Sequence, residues 1–331
     1  MQSKKIAIVT GGAGFIGSHL VDLLIKKNFS VRVLDNLSGG RLENLKHHKN
    51  NKNLLFKKVD ISKMSQNEKI FKDAKYIFHL AGKGDIVPSI ENPYEYMMTN
   101  IIGTTKVIEN CRNKNIKKFV YAASSSCYGK AKTPTDEAHS ISPEYPYALS
   151  KYLGEQTCFH WSKVYKIPTI SIRIFNAYGT RVKTTGVYGA VFGVFFKQKL
   201  ENKPLTLVGN GLQRRDFLNV KDVANAFYMS AISNKVNEIY NLGSGSPKTI
   251  LKLIKLIKSK KIVKLPKRPG EPDCTWANIS KIKKQIGWKP EITFENGVKE
   301  MLEEIENWKN APLWNKKNIK KATKTWFKYL S

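Results

Sequence analysis

The sequence predicts an α/β fold: a doubly wound parallel sheet joined to a smaller, woven α/β C-terminal domain. Three observations predict it. Short apolar runs alternate with helical stretches through the first half. A glycine-rich turn, Gly11-Gly-Ala-Gly-Phe-Ile-Gly17, separates the first run from the first helix. The alternation then breaks after Phe175. Strands alternating with helices imply a parallel sheet covered on both faces.

Residues 5–10 read as a strand ending at the glycines, and 18–27 have helical periodicity. Residues 30–34 are β-branched and apolar and stop at Asp35; 54–59 alternate and stop at Asp60. Further strands are expected at 76–80, 118–123 and 169–175, with helices near 94–110 and 147–165. Beyond Phe175 come a short strand at 204–208, a turn at Gly209-Asn-Gly211, a helix at 220–230 and a returning strand at 238–242. An amphipathic helix follows at 249–258, with Lys252, Lys255 and Lys258 on one solvated face. Trp308, Trp314 and Trp326 predict a packed C-terminal cap. The dinucleotide-binding domain is expected at 1–175 plus about 217–243, and the second domain at 176–216 and 244–331.

At 331 residues, with 41% hydrophobic and 25% charged side chains, the chain is globular. It shows no charged-then-apolar leader, and no apolar run nears the ~20 residues of a spanning helix. Neither secretion nor membrane insertion is expected. Cys111, Cys127, Cys158 and Cys274 lack paired spacing. That argues against a disulfide framework or a metal site and fits a reducing cytoplasm. The net charge of +31 raises nucleic acid as a partner, yet only eight of the 57 basic residues are Arg. Nucleic-acid readers concentrate Arg and aromatics in a patch. The expectation is no nucleic-acid partner, and a positive field that attracts a pyrophosphate substrate.

Gly11, Gly14 and Gly17 permit a tight turn and let the backbone approach a pyrophosphate at a helix N-terminus. Asp35, ending the next strand, can accept bonds from the adenosine ribose and repel a 2′-phosphate, which favours NAD over NADP; Arg32 and Arg41 weaken that preference. Asp60-Ile61 meets the adenine, or Asp60 caps the following turn; both readings stand.

Tyr147 and Lys151 are one helical turn apart, and Ser124 precedes the tyrosine by 23 residues. A free phenol has a pKa of about 10. Work as a base near neutrality therefore takes roughly 4 kcal/mol of favourable electrostatics. Lys151 and a positively charged nicotinamide can supply that. Ser124 ends a strand at the carboxyl edge of the sheet, where ligands bind; a turn-capping serine is the alternative.

With TGGAGFIG (10–17), Asp35-Asn36, His79-Leu80-Ala81, YAASSSCYG (121–129), YALSK (147–151), RIFNAYG (173–179), RRDF (214–217), YNLGSG (240–245) and KRPGEPDCTWA (267–277), the chain resembles the extended short-chain dehydrogenase/reductase superfamily. Within it the nucleotide-sugar 4-epimerases are most similar. The resemblance implies a Rossmann-type domain holding NAD through Gly11, Gly14, Phe15, Ile16, Gly17, Asp35, Asn36, Asp60, Ile61, Leu80, Ala81, Tyr147 and Lys151. It makes Tyr147 the acid/base, Lys151 the group on the nicotinamide ribose, and Ser124 the partner of sugar O4. Asn176 contacts sugar or phosphate, Arg215 and Arg268 clamp the pyrophosphate, and Glu271 meets the nucleotide ribose. Guanidinium forks suit phosphate oxygens; an ion pair between Arg215 and Asp216 is the bland alternative.

The resemblance also sorts the reactions. Dehydratases of this type place Asp-Glu directly after the active-site Ser/Thr, and the decarboxylases carry Glu at the second of those positions. Here they are Ser125 and Ser126. A 4-epimerase, which oxidises C4 and re-reduces it on the other face, needs no further base. Thr275, with Gly84 and Ser125, resembles the roomier pockets that admit 2-acetamido sugars beside UDP-glucose and UDP-galactose. A homodimer through helices near 94–111 and 148–165 is likewise implied. Within enzymes the alternative is a sugar-nucleotide 4,6-dehydratase, UDP-glucuronate decarboxylase or 4-dehydrogenase of the same superfamily; outside enzymes it is an idle Rossmann protein that binds RNA through its lysines.

Overall fold

The computed structural model describes residues 5–184, 191–259, 261–267 and 271–330. The chain opens with β1 (Lys5–Thr10), α1 (Phe15–Lys26), β2 (Phe29–Asp35), a 3-10 segment (Leu42–His48), β3 (Leu54–Lys58) and β4 (Tyr76–His79). Then come α2 (Ile86–Glu91), α3 (Pro93–Met97), α4 (Thr104–Glu109), β5 (Lys118–Ser124), α5 (Pro146–Tyr165) and β6 (Thr169–Ile174). The second half contains β7 (Asn176–Tyr178), α6 (Val191–Leu200), β8 (Leu205–Val208), β9 (Arg214–Arg215), β10 (Phe217–Asn219), α7 (Val220–Ile232) and β11 (Glu238–Leu242). It ends with β12 (Lys248–Thr249), α8 (Ile250–Ile257), β13 (Ile262–Leu265), α9 (Ser280–Ile286), α10 (Phe294–Glu303), α11 (Lys316–Ala322) and α12 (Lys324–Tyr329).

Seven strands form one sheet in the order β11-β6-β5-β4-β1-β2-β3, and every pair is parallel. The fold class is the doubly wound one the alternation predicts. The order reverses between β1 and β4, so the loops leaving these strands diverge and open a crevice at their carboxyl ends. Apolar side chains pack both faces: Leu20, Val223, Phe227 and Ile282 on one, Phe71, Val107, Ile108 and Cys158 on the other. A separate apolar cluster in the second half gathers Phe192, Phe196, Phe217, Leu253, Phe294 and Trp308. Trp308 and Trp326 are buried, so the C-terminal segment packs as expected.

Two helices differ from expectation. α1 starts three residues early, because Gly14 is its N-cap. The helix expected near 94–110 is α3, a π turn at Met98–Gly103 and α4. Apolar spacing runs unchanged through all three, so periodicity does not mark the π turn, a feature that concentrates at functional sites. α5 starts with Pro146 at its first position, where the missing N–H costs nothing and φ is already helical.

A buried ion pair fixes α5 against the sheet. Arg173 Nη2 and Nε on β6 donate to the two carboxylate oxygens of Glu155 at 2.6 and 3.0 Å, and Nη1 donates to the Tyr128 hydroxyl at 2.8 Å. Both partners are almost fully buried. Removing one partner leaves the other charge stranded in low dielectric. Arg173→Met should therefore lower the unfolding free energy by about 3–5 kcal/mol, read by urea denaturation. A loss below about 1 kcal/mol would show that the bridge does not hold α5.

Candidate functional site

The glycine turn is held by close backbone approach. Gly11 has φ +69°, and a Cβ there would lie 2.7 Å from the Ala81 nitrogen. A Cβ on Gly17 would lie 2.1 Å from the Gly11 carbonyl oxygen, so α1 sits directly on the turn. Gly14 leaves the α1 N-terminus without a side-chain cap, its N–H groups free for an anion. Phe15 and Ile16 form the first helical turn beside it. Leu80 and Ala81 close the other side through N–H bonds to Thr10, at 3.2 Å each.

Asp35 is buried and accepts the Ala13 N–H at 3.0 Å and the Leu37 N–H at 2.8 Å. A carboxylate has about four acceptor sites, so two remain for ribose hydroxyls. Arg32 donates to the carbonyls of Ile70 and Lys72 and is engaged away from this acid. Asn36 accepts from Ser38 N–H and hydroxyl. Asp60 realises the capping reading: it accepts the Ser62 N–H and hydroxyl at 2.9 and 2.7 Å. Ile61 packs in the core against Gly103.

At the crevice, β5 delivers Ser124 and α5 delivers Tyr147 and Lys151. Ser124 realises the capping reading and also faces the tyrosine. Its Oγ caps the turn at Ser126 N (3.2 Å) and meets Ser126 Oγ (2.8 Å), and it hydrogen-bonds the Tyr147 phenol. Tyr145 stacks on Tyr147 at 6.3 Å, and Tyr96 meets it edge-on at 6.4 Å. Burial raises the Tyr147 phenol above its ordinary range; the hydrogen bonds from Ser124 and Ser126 oppose this. Lys151 is 7% exposed, its Nζ 4.5 Å from the centre of the Tyr121 ring. Burial lowers its pKa to about 8, against smaller raising effects from Cys158 and Glu155. Desolvation thus disfavours the ammonium, although at a value of about 8 most of it persists at pH 7.

The sequence reading missed the network that carries this pair. Asn100, in the π turn, donates to the Ser150 hydroxyl (2.9 Å) and the Lys83 carbonyl (3.0 Å) and accepts the Lys83 N–H (2.8 Å). Ser150 donates to the Tyr147 carbonyl at 2.8 Å. His79 bridges Thr10 Oγ1 (2.6 Å) and Thr104 Oγ1 (2.9 Å), and Thr104 donates to the Asn100 carbonyl. Complete burial holds His79 at about 3, so it stays neutral. Thr10, His79 and Ser150 lie in motifs of the sequence; Asn100 and Thr104 carry no local signal.

On the second half, Arg215 does not pair with Asp216. Asp216 is fully buried and accepts from Ser244, Gly245 and Ala277. Arg215 instead donates to Glu271 at 2.7 Å and to the Pro272 carbonyl at 2.9 Å. Two residues expected at the substrate are therefore joined to each other. Thr275 donates to Asn176 Oδ1 at 2.6 Å and accepts the Asp216 N–H at 3.2 Å. Gly84 faces open space and Ser125 is half-buried beside Ser124. Arg268 lies outside the described residues. Among those described, Asp22, His47 and His48 form one group with metal-ligating atoms close together, but Arg181 already pairs with that carboxylate at 2.7 Å.

Residues 8–301 match the family model described as GDP-mannose 4,6 dehydratase. The chain is 37% identical to a putative UDP-glucose 4-epimerase of Methanocaldococcus jannaschii over 91% of its own length and 98% of that protein. The solved UDP-N-acetylglucosamine 4-epimerase of Methanobrevibacter ruminantium, in complex with UDP-N-acetylmuramic acid, superposes with a TM-score of 0.86 at 34% identity, covering 93% of this chain and 99% of that one. UDP-glucuronic acid 4-epimerase of Bacillus cereus, in complex with UDP-glucuronic acid and NAD, gives 0.85 at 30% identity, over 91% and 99%.

The depressed Lys151 pKa makes a stability prediction. Between pH 8 and the free-lysine value of about 10.5, the unfolded chain binds a proton that the ligand-free folded chain does not, so folded stability rises with pH across that window. Below pH 8 the buried ammonium costs about 3 kcal/mol. Lys151→Met should raise the ligand-free melting temperature at pH 7 and remove the rise above pH 8, measured as the difference from wild type. An unchanged pH profile would refute it.

Proposed function

The chain belongs to the GDP-mannose 4,6 dehydratase family of extended short-chain dehydrogenases/reductases, with NAD as cofactor, and on that premise we propose that it is a nucleotide-sugar 4-epimerase acting on UDP-hexoses. One observation carries the choice of reaction: Ser124, Ser125 and Ser126 line the turn beside the Tyr147 phenol, with no carboxyl among them. Dehydration or decarboxylation needs a second proton-transfer group there; epimerisation does not.

The fit to NAD rests on the cradle that a Cβ at Gly11 or Gly17 would fill, the uncapped α1 N-terminus and the two spare acceptor sites of Asp35. Bound NAD supplies a hydride acceptor and a positive charge. Tyr147 takes the proton of the sugar 4-hydroxyl and later returns it, and Ser124 bonds the same oxygen. Lys151 donates to the nicotinamide ribose, whose hydroxyls favour the ammonium that burial disfavours. Arg215 turns from Glu271 toward the pyrophosphate, leaving Glu271 for the nucleotide ribose; Arg268 joins the clamp. Asn176 meets the sugar or phosphate, with Gly84 and Ser125 along the sugar. The sheet domain at 1–175 plus about 217–243 holds NAD, and 176–216 with 244–331 holds the sugar nucleotide. A homodimer would cover the apolar side chains exposed on this helical face: Leu149, Leu153, Val164 and Tyr165 on α5, with Tyr94 on α3 and Ile102 in the π turn. Cytoplasmic sugar-nucleotide supply for polysaccharide synthesis is the setting this reading implies.

Mass spectrometry and NMR of products from UDP-sugars test the reaction. The expected product has unchanged mass and is inverted at C4; loss of water or carbon dioxide would assign the chain to another branch of the family. Tyr147→Phe should lower kcat by about 10²–10⁴-fold.

The hydroxyl of Thr275 and its size can be separated. If small size admits 2-acetamido sugars, Thr275→Tyr should cut turnover of UDP-GlcNAc far more than that of UDP-glucose. Thr275→Val keeps the volume but strips the bonds to Asn176 and Asp216, so it should raise KM about tenfold for both, with Thr275→Ser restoring it. Equal turnover ratios in the wild type and the Tyr variant would refute the size argument.

A further inference from the structure

The family match ends at residue 301, and the chain beyond it carries a run of lysines on two consecutive short helices. From 307 to 331 there are seven lysines and no Asp or Glu. Six of them, Lys316, Lys317, Lys320, Lys321, Lys324 and Lys328, lie on α11 and α12, all exposed and without an ion pair among the described residues. On α11 four fall at i, i+1, i+4 and i+5, one face of a helix, with Ile319 and Thr323 turned inward. On α12, Lys324, Phe327 and Lys328 share the outer face while Trp326 is buried. Two aromatic rings stand out among these charges: Phe327 is 41% exposed and Tyr329 is 60% exposed. Phe327 also borders a cavity of ≈ 960 Å³ whose rim carries the exposed Lys130 and Lys132. The tail is held in place, not loose. The Trp314 carbonyl accepts from Gln198 at 2.7 Å, and Thr325 donates to Glu91 of α2 at 2.9 Å.

We propose that α11 and α12 form a docking surface for an anionic lipid bilayer, on which this soluble-fold enzyme adsorbs without inserting. Charge complementarity carries the assignment. Clusters of 4–8 basic residues on a helix are the signature of anionic-lipid binding, and each lysine near such a surface is worth about fivefold in partition. Exposed aromatic rings beside lysines suit the headgroup boundary, where one part of the side chain is apolar and the rest is wet. Nucleic acid is the weaker match, since the chain has no Arg after Arg268. No described helix is long and apolar enough to cross a membrane, which agrees with adsorption. The surface is independent of which sugar is turned over.

Co-sedimentation of the full chain with phosphatidylcholine vesicles, with and without phosphatidylglycerol, tests this. Binding is expected only with phosphatidylglycerol, and it should fall as salt rises from about 0.1 M to about 1 M, where the screening length drops from about 10 to 3 Å. Replacing Lys316, Lys317, Lys320 and Lys321 by Gln should weaken binding by about 600-fold. Replacing Lys46, Lys49, Lys52 and Lys117 by Gln, which removes the same charge elsewhere, should leave most of it. Both variants should keep the wild-type melting temperature and sugar turnover. Equal loss in the two variants would reduce the effect to net charge and overturn the proposal. So would absence of vesicle binding, or release from anionic vesicles by substoichiometric single-stranded RNA. Sugar turnover in the same preparations reports separately on the 4-epimerase reading.

Discussion

A lysine ammonium held almost out of water is the constraint on which this site depends. Lys151 sits over the Tyr121 ring with no ion pair among the described residues, and its pKa falls to about 8. The neighbouring phenol is shifted the other way, upward, by its own burial. Burial moves each group toward its neutral form. On the proposed reading, a bound cationic, ribose-bearing cofactor would oppose both shifts at once, because ribose hydroxyls favour the ammonium and the positive ring favours the phenolate.

Holding two disfavoured groups in register takes scaffolding, and the structure gives α5 two anchors. The Arg173–Glu155 bridge ties the helix to β6, and Asn100 ties its first turn, through Ser150, to the loop after β4. The second anchor continues through Thr104 and a permanently neutral His79 to Thr10, at the root of the glycine turn. The glycine turn and α5 thus share one chain of buried hydrogen bonds, and such networks are rigid when every member is satisfied.

Charge is distributed to a different logic. Near the site Arg215 is matched by Glu271 and Arg173 by Glu155, while Lys151 has no ion pair among the described residues. The net charge of +31 is spread along the chain, and one of its acid-free stretches lies in the C-terminal segment beyond the family match.

Much of this was legible in the sequence because it depends on neighbours along the chain. Glycines at 11, 14 and 17 announce a turn with no room for a Cβ at Gly11 or Gly17, strand alternation announces the parallel sheet, and helical spacing alone puts Tyr147 one turn from Lys151. The tertiary structure decided what each group experiences. Asp60 capping its turn, Arg215 choosing Glu271 over Asp216, Thr275 bonding Asn176, and Asn100 reaching Ser150 are contacts the packing selects. Three of them join residues 50 or more positions apart. The sequence by itself determined which chemistry-bearing side chains exist and which share an element. Only packing set their desolvation, and desolvation fixes whether a lysine and a phenol beside it are charged.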